Sequence, residues 1–208
     1  MILDIHTHKP APYPEGVVCL GSFGDTLLPG QLYSAGIHPW DTAGDIADET
    51  FARLEDLARQ PQVVAIGECG VDTLKGGPMF RQLQIFKKQI DISEKVGKPL
   101  VLHCVKSADV ILGLKRDLNP TQPWIIHGFR GKPALATQLT DKGIYLSFGE
   151  KFNPETVMTV AGEMILAETD ESILTIEEII GSLSSAANRD LTPDIQANTA
   201  RVLGLDTK

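Results

Sequence analysis

Basic residues are in short supply: 19 Lys and Arg stand against 27 Asp and Glu, a formal net charge of −8. That balance excludes a generally basic surface for nucleic acid, although bound cations can dominate the potential of a local cleft. Cysteine is scarce. Cys19, Cys69 and Cys104 are odd in number and far apart, so neither a disulfide framework nor a thiolate zinc site is expected. No apolar run approaches the roughly 18 residues of a membrane-spanning helix. No basic, leader-like stretch precedes the strand-like residues that begin at Ile2, and a cytoplasmic location without a membrane partner is the expectation. Internal repeats, low-complexity tracts and linkers are also missing. With 42% hydrophobic residues, residues 1–208 read as one domain with a sizeable core.

What is present is an alternation of elements. Short apolar, β-rich runs fall at 2–5, 17–20, 32–37, 63–66, 99–102, 124–126, 143–148 and 164–167. Several lack polar alternation, as strands buried on both faces of a parallel sheet do. Helix-like stretches lie between them at about 48–59, 79–96, 107–118, 132–142 and 154–162, and two more close the chain near 175–187 and 193–203. In 79–96 the spacing places Phe80, Leu83, Ile85, Phe86, Ile90 and Ile92 near one face, and Gly97 supplies a stop. Thr192 precedes Pro193 as an expected N-cap. Eight strands alternating with helices predict an α/β, TIM-type (β/α) barrel. Residues 6–16 carry Pro10, Pro12 and Pro14 and leave no room for a helix, whereas a parallel crossover usually needs a dozen or more residues. A trimmed, distorted first quarter is therefore expected, with 17–20 paired irregularly or antiparallel.

The polar residues that end these strands carry the chemistry. In DIHTH, alternation puts Asp4, His6 and His8 on one face of a strand. Burying three polar groups there is costly unless something pairs with them; a divalent metal is one partner, and an edge strand facing water is the plainer alternative. Glu68 follows VVAIG, His103 follows PLVL, His127 follows PWII, and Asp170 follows MILAET. Barrel enzymes assemble their sites at such strand ends. One histidine there is ordinarily a hydrogen-bonded core residue; with His38 after SAGI, all five histidines of the chain share the position. Imidazole with carboxylate suits zinc, manganese or iron, and magnesium if water and substrate oxygens complete its shell. Four histidines and two carboxylates exceed the three protein ligands of one catalytic zinc. Two divalent metal ions sharing a carboxylate are the economical arrangement, able to generate hydroxide and to clamp both oxygens of a phosphate ester.

These stretches, in order, resemble the TatD-like metal-dependent hydrolases, often described as deoxyribonucleases, of the amidohydrolase-like barrels. The matching segments are DIHTH (4–8), GIHP (36–39), AIGECGVD (65–72), Gln82 with Phe86 and Gln89, PLVLHC (99–104), HGFRG (127–131), LSFG (146–149), AETD (167–170) and NTARVLGL (198–205). The resemblance implies that His6, His8 and Asp170 hold one metal, that His103 and His127 hold a second, and that Glu68 bridges them. It further implies that Asp170 orients or deprotonates the attacking water, and that the reaction is hydrolysis of a phosphodiester, with DNA as the substrate class.

Around this set the residues leave alternatives open. Asp4 either buttresses a ligand or is a buried acid bonded to backbone. His38 and Trp40 could line a substrate pocket, with packing the alternative for Trp40. Asp72 either accepts a hydrogen bond from substrate or a neighbouring loop, or is a solvated loop acid. Cys69 and Cys104 read as buried, structural thiols. The sequence also departs from the family pattern: Val105 stands where members commonly carry arginine, with Lys106 beside it, and Arg130 stands where a small hydroxyl residue is usual. Arg130 is either a substrate contact, since a guanidinium suits phosphate, or a surface charge. After Asp170 the sequence ESILTIEEII replaces a proline-containing loop and basic segment, so altered substrate walls are expected. Two further readings keep the same residues: hydrolysis of a small-molecule amide, ester or lactone, and metal binding without turnover. No protein partner is implied, and a monomer is the default.

Overall fold

The computed structural model describes residues 2–21 and 23–205. Strands β1 (Asp4–Thr7), β2 (Gly16–Cys19), β3 (Leu32–Ala35), β4 (Val63–Asp72), β5 (Leu100–Val105), β6 (Trp124–Ile126), β7 (Ile144–Phe148) and β8 (Ile165–Ala167) close into a barrel in sequence order. Every neighbouring pair runs parallel. Helices α1 (Asp48–Ala58), α2 (Met79–Val96), α3 (Ala108–Leu118), α4 (Pro133–Thr140), α5 (Pro154–Thr159), α6 (Ile176–Ala187) and α7 (Thr192–Leu203) lie between or after the strands from β3 onward. The expected TIM-type barrel is therefore the observed one. Among the described residues, no helix is long and apolar enough to cross a membrane.

The first quarter is trimmed but not antiparallel. β2 pairs parallel with both β1 and β3, and the distortion consists of register shifts between Asp4 and Thr7 and, where β3 meets β4, between Tyr33 and Ser34. A helix-free crossover works because the strands are short. Extended chain reaches about 3.3 Å per residue, so the link 8–15 spans roughly 26 Å, about twice a four-residue strand. Gln31 ties the region together: its buried amide donates to the carbonyls of Gly16 and Leu32 and accepts from the Tyr13 N–H.

β4 runs six residues beyond the expected 63–66, ending at Asp72. Glycines interrupt the apolar pattern, yet the ladder resumes from Cys69 opposite Leu102 to Asp72 opposite Val105. At Gly70 (φ 126°) an added Cβ would lie 2.3 Å from the His103 carbonyl oxygen, so only glycine fits there. Gly36 does the same at the end of β3, where a Cβ would meet the Gly67 Cα at 2.7 Å. This contact draws the GIHP segment against the strand that carries Glu68.

Helix α2 matches its expected bounds and stops at Gly97 in the left-handed conformation, φ 69°. It buries Ile85, Phe86, Ile90 and Ile92, each contributing roughly 1.5–3 kcal/mol, and Phe86 meets Trp124 of β6. Phe80, expected on that face, is instead 62% exposed. Buried glutamines take the face near the barrel mouth. The Gln89 amide pairs with both the N–H and C=O of Ile37. Gln82 accepts from the Asp72 N–H and donates to the carbonyls of Asp72, Lys75 and Gly77. Helix α7 begins at Thr192, with Leu191 in the flanking position, one residue earlier than the expected Thr192 cap. Within α7, Asn198 donates to the carbonyls of Gly162 and Ile165, which gives the NTARVLGL segment a structural task. Val101 and Ile125, two residues before His103 and His127 and so on the same strand faces, join Val17 and Leu166 in an apolar cluster that floors the polar site.

Candidate metal centre

Backbone pairing brings the two chain-distant ends of the site together. Asp170 donates its N–H to the His6 carbonyl at 3.0 Å, and its own carbonyl accepts from the His8 N–H at 3.0 Å. Asp170 is held at φ 51°, a left-handed conformation that costs a non-glycine residue energy and persists when surrounding contacts fix it. Asp4 secures the same junction. Its carboxylate accepts from the Thr169 N–H (3.0 Å), the Thr169 hydroxyl (2.6 Å) and the His6 N–H (3.3 Å). None of these is an imidazole nitrogen, so Asp4 is the buried, backbone-bonded acid rather than a buttress for a ring. Burial pushes its carboxyl up to about 7.

Glu68 stands at the centre, nearly buried, and its two oxygens face different histidines. Oε1 lies 2.7 Å from His103 Nδ1, 2.7 Å from His127 Nε2 and 3.0 Å from His38 Nε2. Oε2 lies 3.5 Å from His6 Nε2 and 3.4 Å from His8 Nε2. Asp170 Oδ1 approaches the same two rings at 3.8 and 3.7 Å. Burial works against a charged Glu68, but the histidine rings gathered round it, His103, His127 and His38 first, outweigh that and hold the carboxyl well below the usual range. Burial and the nearby Glu168 charge push the Asp170 carboxyl up.

Two of the rings are backed by carboxylates. Asp72 Oδ2 accepts from His103 Nε2 at 3.0 Å and from the Trp40 indole N–H at 2.7 Å. Glu168 Oε1 lies 3.3 Å from His127 Nδ1 and accepts from the Gly128 N–H at 2.6 Å. A neutral imidazole has one N–H. If His103 and His127 spend theirs on Asp72 and Glu168, the nitrogens facing Glu68 are lone pairs opposite a carboxylate oxygen, an arrangement that calls for a cation. His38 differs. Its Nδ1 accepts the Trp40 backbone N–H at 3.1 Å, so the neutral ring carries its proton on Nε2 and donates to Glu68.

The donor set fits a metal on a further observation. His6 is fully buried, and among the described residues neither ring nitrogen has a hydrogen-bond partner, which is costly for a polar group with nothing to pair with. Its Nε2 sits 3.5 to 3.8 Å from two carboxylate oxygens, too far for a hydrogen bond. Two atoms each about 2.1 Å from one ion lie at comparable separations. Among the described residues, three groups are close enough together to hold an ion: His6, His8 and Glu68; His6, His127 and Asp170; His38, Glu68 and His103. The tautomer of His38 argues against its membership of the last.

All six expected ligand-type residues thus converge, with His38 added to the cluster. Asp72 is neither a solvated loop acid nor free for substrate: it is 3% exposed and also accepts from the N–H groups of Leu74 and Lys75. Cys69 is buried as expected, whereas Cys104 is only half-buried and lines a cavity of about 720 Å³ with His103, His127 and Asp170. Arg130 is exposed at the rim of that cavity. Trp40, half-exposed, packs edge-on against His38 and His103. Glu168 escaped the sequence reading. Its signal was available: it precedes Asp170 by two, as Asp4 precedes His6, and it directly follows β8 at a strand end.

Comparison with known proteins places the sequence and the fold. The sequence model of the family described as TatD related DNase matches residues 27–187. An uncharacterized metal-dependent hydrolase, YabD of Bacillus subtilis, is 32% identical over 69% of this chain and 60% of its own. A protein named 3'-5' ssDNA/RNA exonuclease TatD from Erwinia billingiae is 37% identical over 51% of this chain and 41% of its own. The chain therefore spans about half the length of these curated relatives. Among solved structures, the TatD homologue YJJV of Escherichia coli superposes with a TM-score of 0.81 at 15% identity, covering 97% of both chains, which supports the fold. With well over half of its residues matched by the family's sequence model, the chain belongs to the TatD related DNase family.

Proposed function

We propose that the chain hydrolyses phosphodiester bonds in single-stranded nucleic acid with two divalent cations, zinc, manganese or magnesium. His6, His8 and Asp170 would hold one, His103 and His127 the other, with Glu68 shared. The observation that carries this reading is the split of Glu68, with Oε2 facing His6 and His8 and Oε1 facing His103 and His127. When bound, such cations acidify water and neutralise charge on the phosphate. Asp170, partly exposed at the mouth, orients the attacking water and takes its proton. Asp72 and Glu168 fix the ring orientations of His103 and His127, and His38 holds Glu68 through its Nε2 proton. Arg130 faces substrate, whereas His38, expected to contact it, has both ring nitrogens engaged within the protein. The exonuclease names borne by relatives support the substrate class.

Release of nucleotides from single-stranded DNA or RNA, abolished by chelation and restored by metal, is the expected result. Unchanged release by Glu68→Ala would remove the proposed centre. The half-apolar cavity beside the site favours a second reading, hydrolysis of a small ester, amide or lactone; a panel of such compounds, all inert, would eliminate it. A single domain acting as a monomer in the cytoplasm completes the proposal, and light scattering on the purified protein tests the monomer.

A further inference from the structure

The cavity of about 720 Å³ between the loops after β5 and β6 opens directly onto His103, His127 and Asp170. Its far wall is apolar, made by Phe129, Leu135 and Leu139, and Lys106 and Arg130 stand at its rim. The volume lies within the range of roughly 300–1,000 Å³ typical of pockets for single small ligands. Both rim residues are exposed and cationic on a chain of net charge −8. We infer that this cavity receives the base and sugar of the nucleotide adjoining the cleaved bond, while Lys106 and Arg130 contact its flanking phosphate. The assignment rests on the nuclease reading above and adds to it a place for the terminal base.

Three features define what enters. Phosphate must lie at the His103 and Asp170 end, because the ligand-type residues are there, which directs the rest of the nucleotide toward the apolar wall. The wall offers few hydrogen bonds to a base edge: the Ser107 hydroxyl is already donated to the Val71 carbonyl at 2.8 Å. Discrimination among the bases is therefore weak, while discrimination between a base and no base is strong. Apolar contact recognises the presence of a base, and hydrogen bonds would be needed to read its identity. At the open end the exposed cations Lys106 and Arg130 meet the flanking phosphate.

Cys104 provides a reporter that needs no turnover. It is half-buried in the cavity wall, so methyl methanethiosulfonate modification at Cys104, followed by peptide mass mapping, reads occupancy of the pocket. Thymidine monophosphate should protect Cys104, and deoxyribose phosphate should not. In parallel, Leu135→Trp fills the apolar end and should raise KM for single-stranded DNA by about tenfold with a smaller change in kcat. Ala108→Phe, on another part of the lining, is the second variant should the first fail to fold, as circular dichroism would show. A terminal abasic residue should mimic the KM effect in the wild type. Equal protection by both phosphates, or unchanged KM in a folded variant, overturns the pocket while leaving the nuclease reading standing. If the wild type cleaves no single strand with any of the three metals, the nuclease reading fails and the assignment falls with it.

Discussion

The two halves of the histidine cluster are built differently. On the side of His103 and His127, each ring has a carboxylate behind it and approaches Glu68 Oε1 at 2.7 Å. On the side of His6 and His8, the rings stand 3.4 to 3.5 Å from Oε2. Among the described residues, no partner is found for either nitrogen of His6, and His8 is 39% exposed. A ring fixed by an outer carboxylate is preorganised as a ligand and made more basic. The first half is therefore set before any ion arrives, and the second depends on backbone pairing between β1 and the segment after β8. Under the two-ion reading, the supported half binds more tightly, and the open half exchanges its ion and faces the water.

Glu68→Gln removes what the halves share and should have the largest effect. Metal content by elemental analysis should fall in both, and nuclease activity should drop by about 10³-fold or more. Asp72→Asn and Glu168→Gln attack the supported half alone. Each should weaken one class of metal binding by about 10–100-fold in calorimetric titration, leaving the other class unchanged; equal weakening of both classes would erase the distinction. His8→Asn should do the reverse, lowering occupancy of the open half only. Gln82→Leu strips four hydrogen bonds from the loop that positions Asp72. It should cost about 1–3 kcal/mol for each buried group left unpaired, read as a lower denaturation midpoint. The smallest change is expected from Arg130→Ala, a KM increase of several-fold that shrinks at high salt, because an exposed cation acts through screened charge.

A second contrast separates the first quarter of the barrel from the rest. From α2 onward, apolar runs and helix periodicity mark the elements to within a few residues, and α2 falls on its expected bounds. Between β1 and β2, the absence of a helix argued for irregular or antiparallel pairing; the strands run parallel, with an irregular register between Asp4 and Thr7. The periodicity of 8–15 carries no information on this point; the reach of extended chain and the buried Gln31 decide it. The extension of β4 was hidden in a similar way, because Gly67 and Gly70 disguise a ladder that Val105 and Cys104 complete.

The sequence by itself determined the eight strands, their order with the helices, and the six residues whose positions at strand ends make them candidates for one site. Strand ends are legible because burial imposes an apolar run and function interrupts it. Only the tertiary structure decided which oxygen of Glu68 meets which histidines, that Asp72 and Glu168 stand behind two of the rings, and that Asp4 clamps backbone. Those are relations between residues as many as 165 positions apart. They are fixed by barrel closure and side-chain direction, neither of which leaves a periodic trace in the chain.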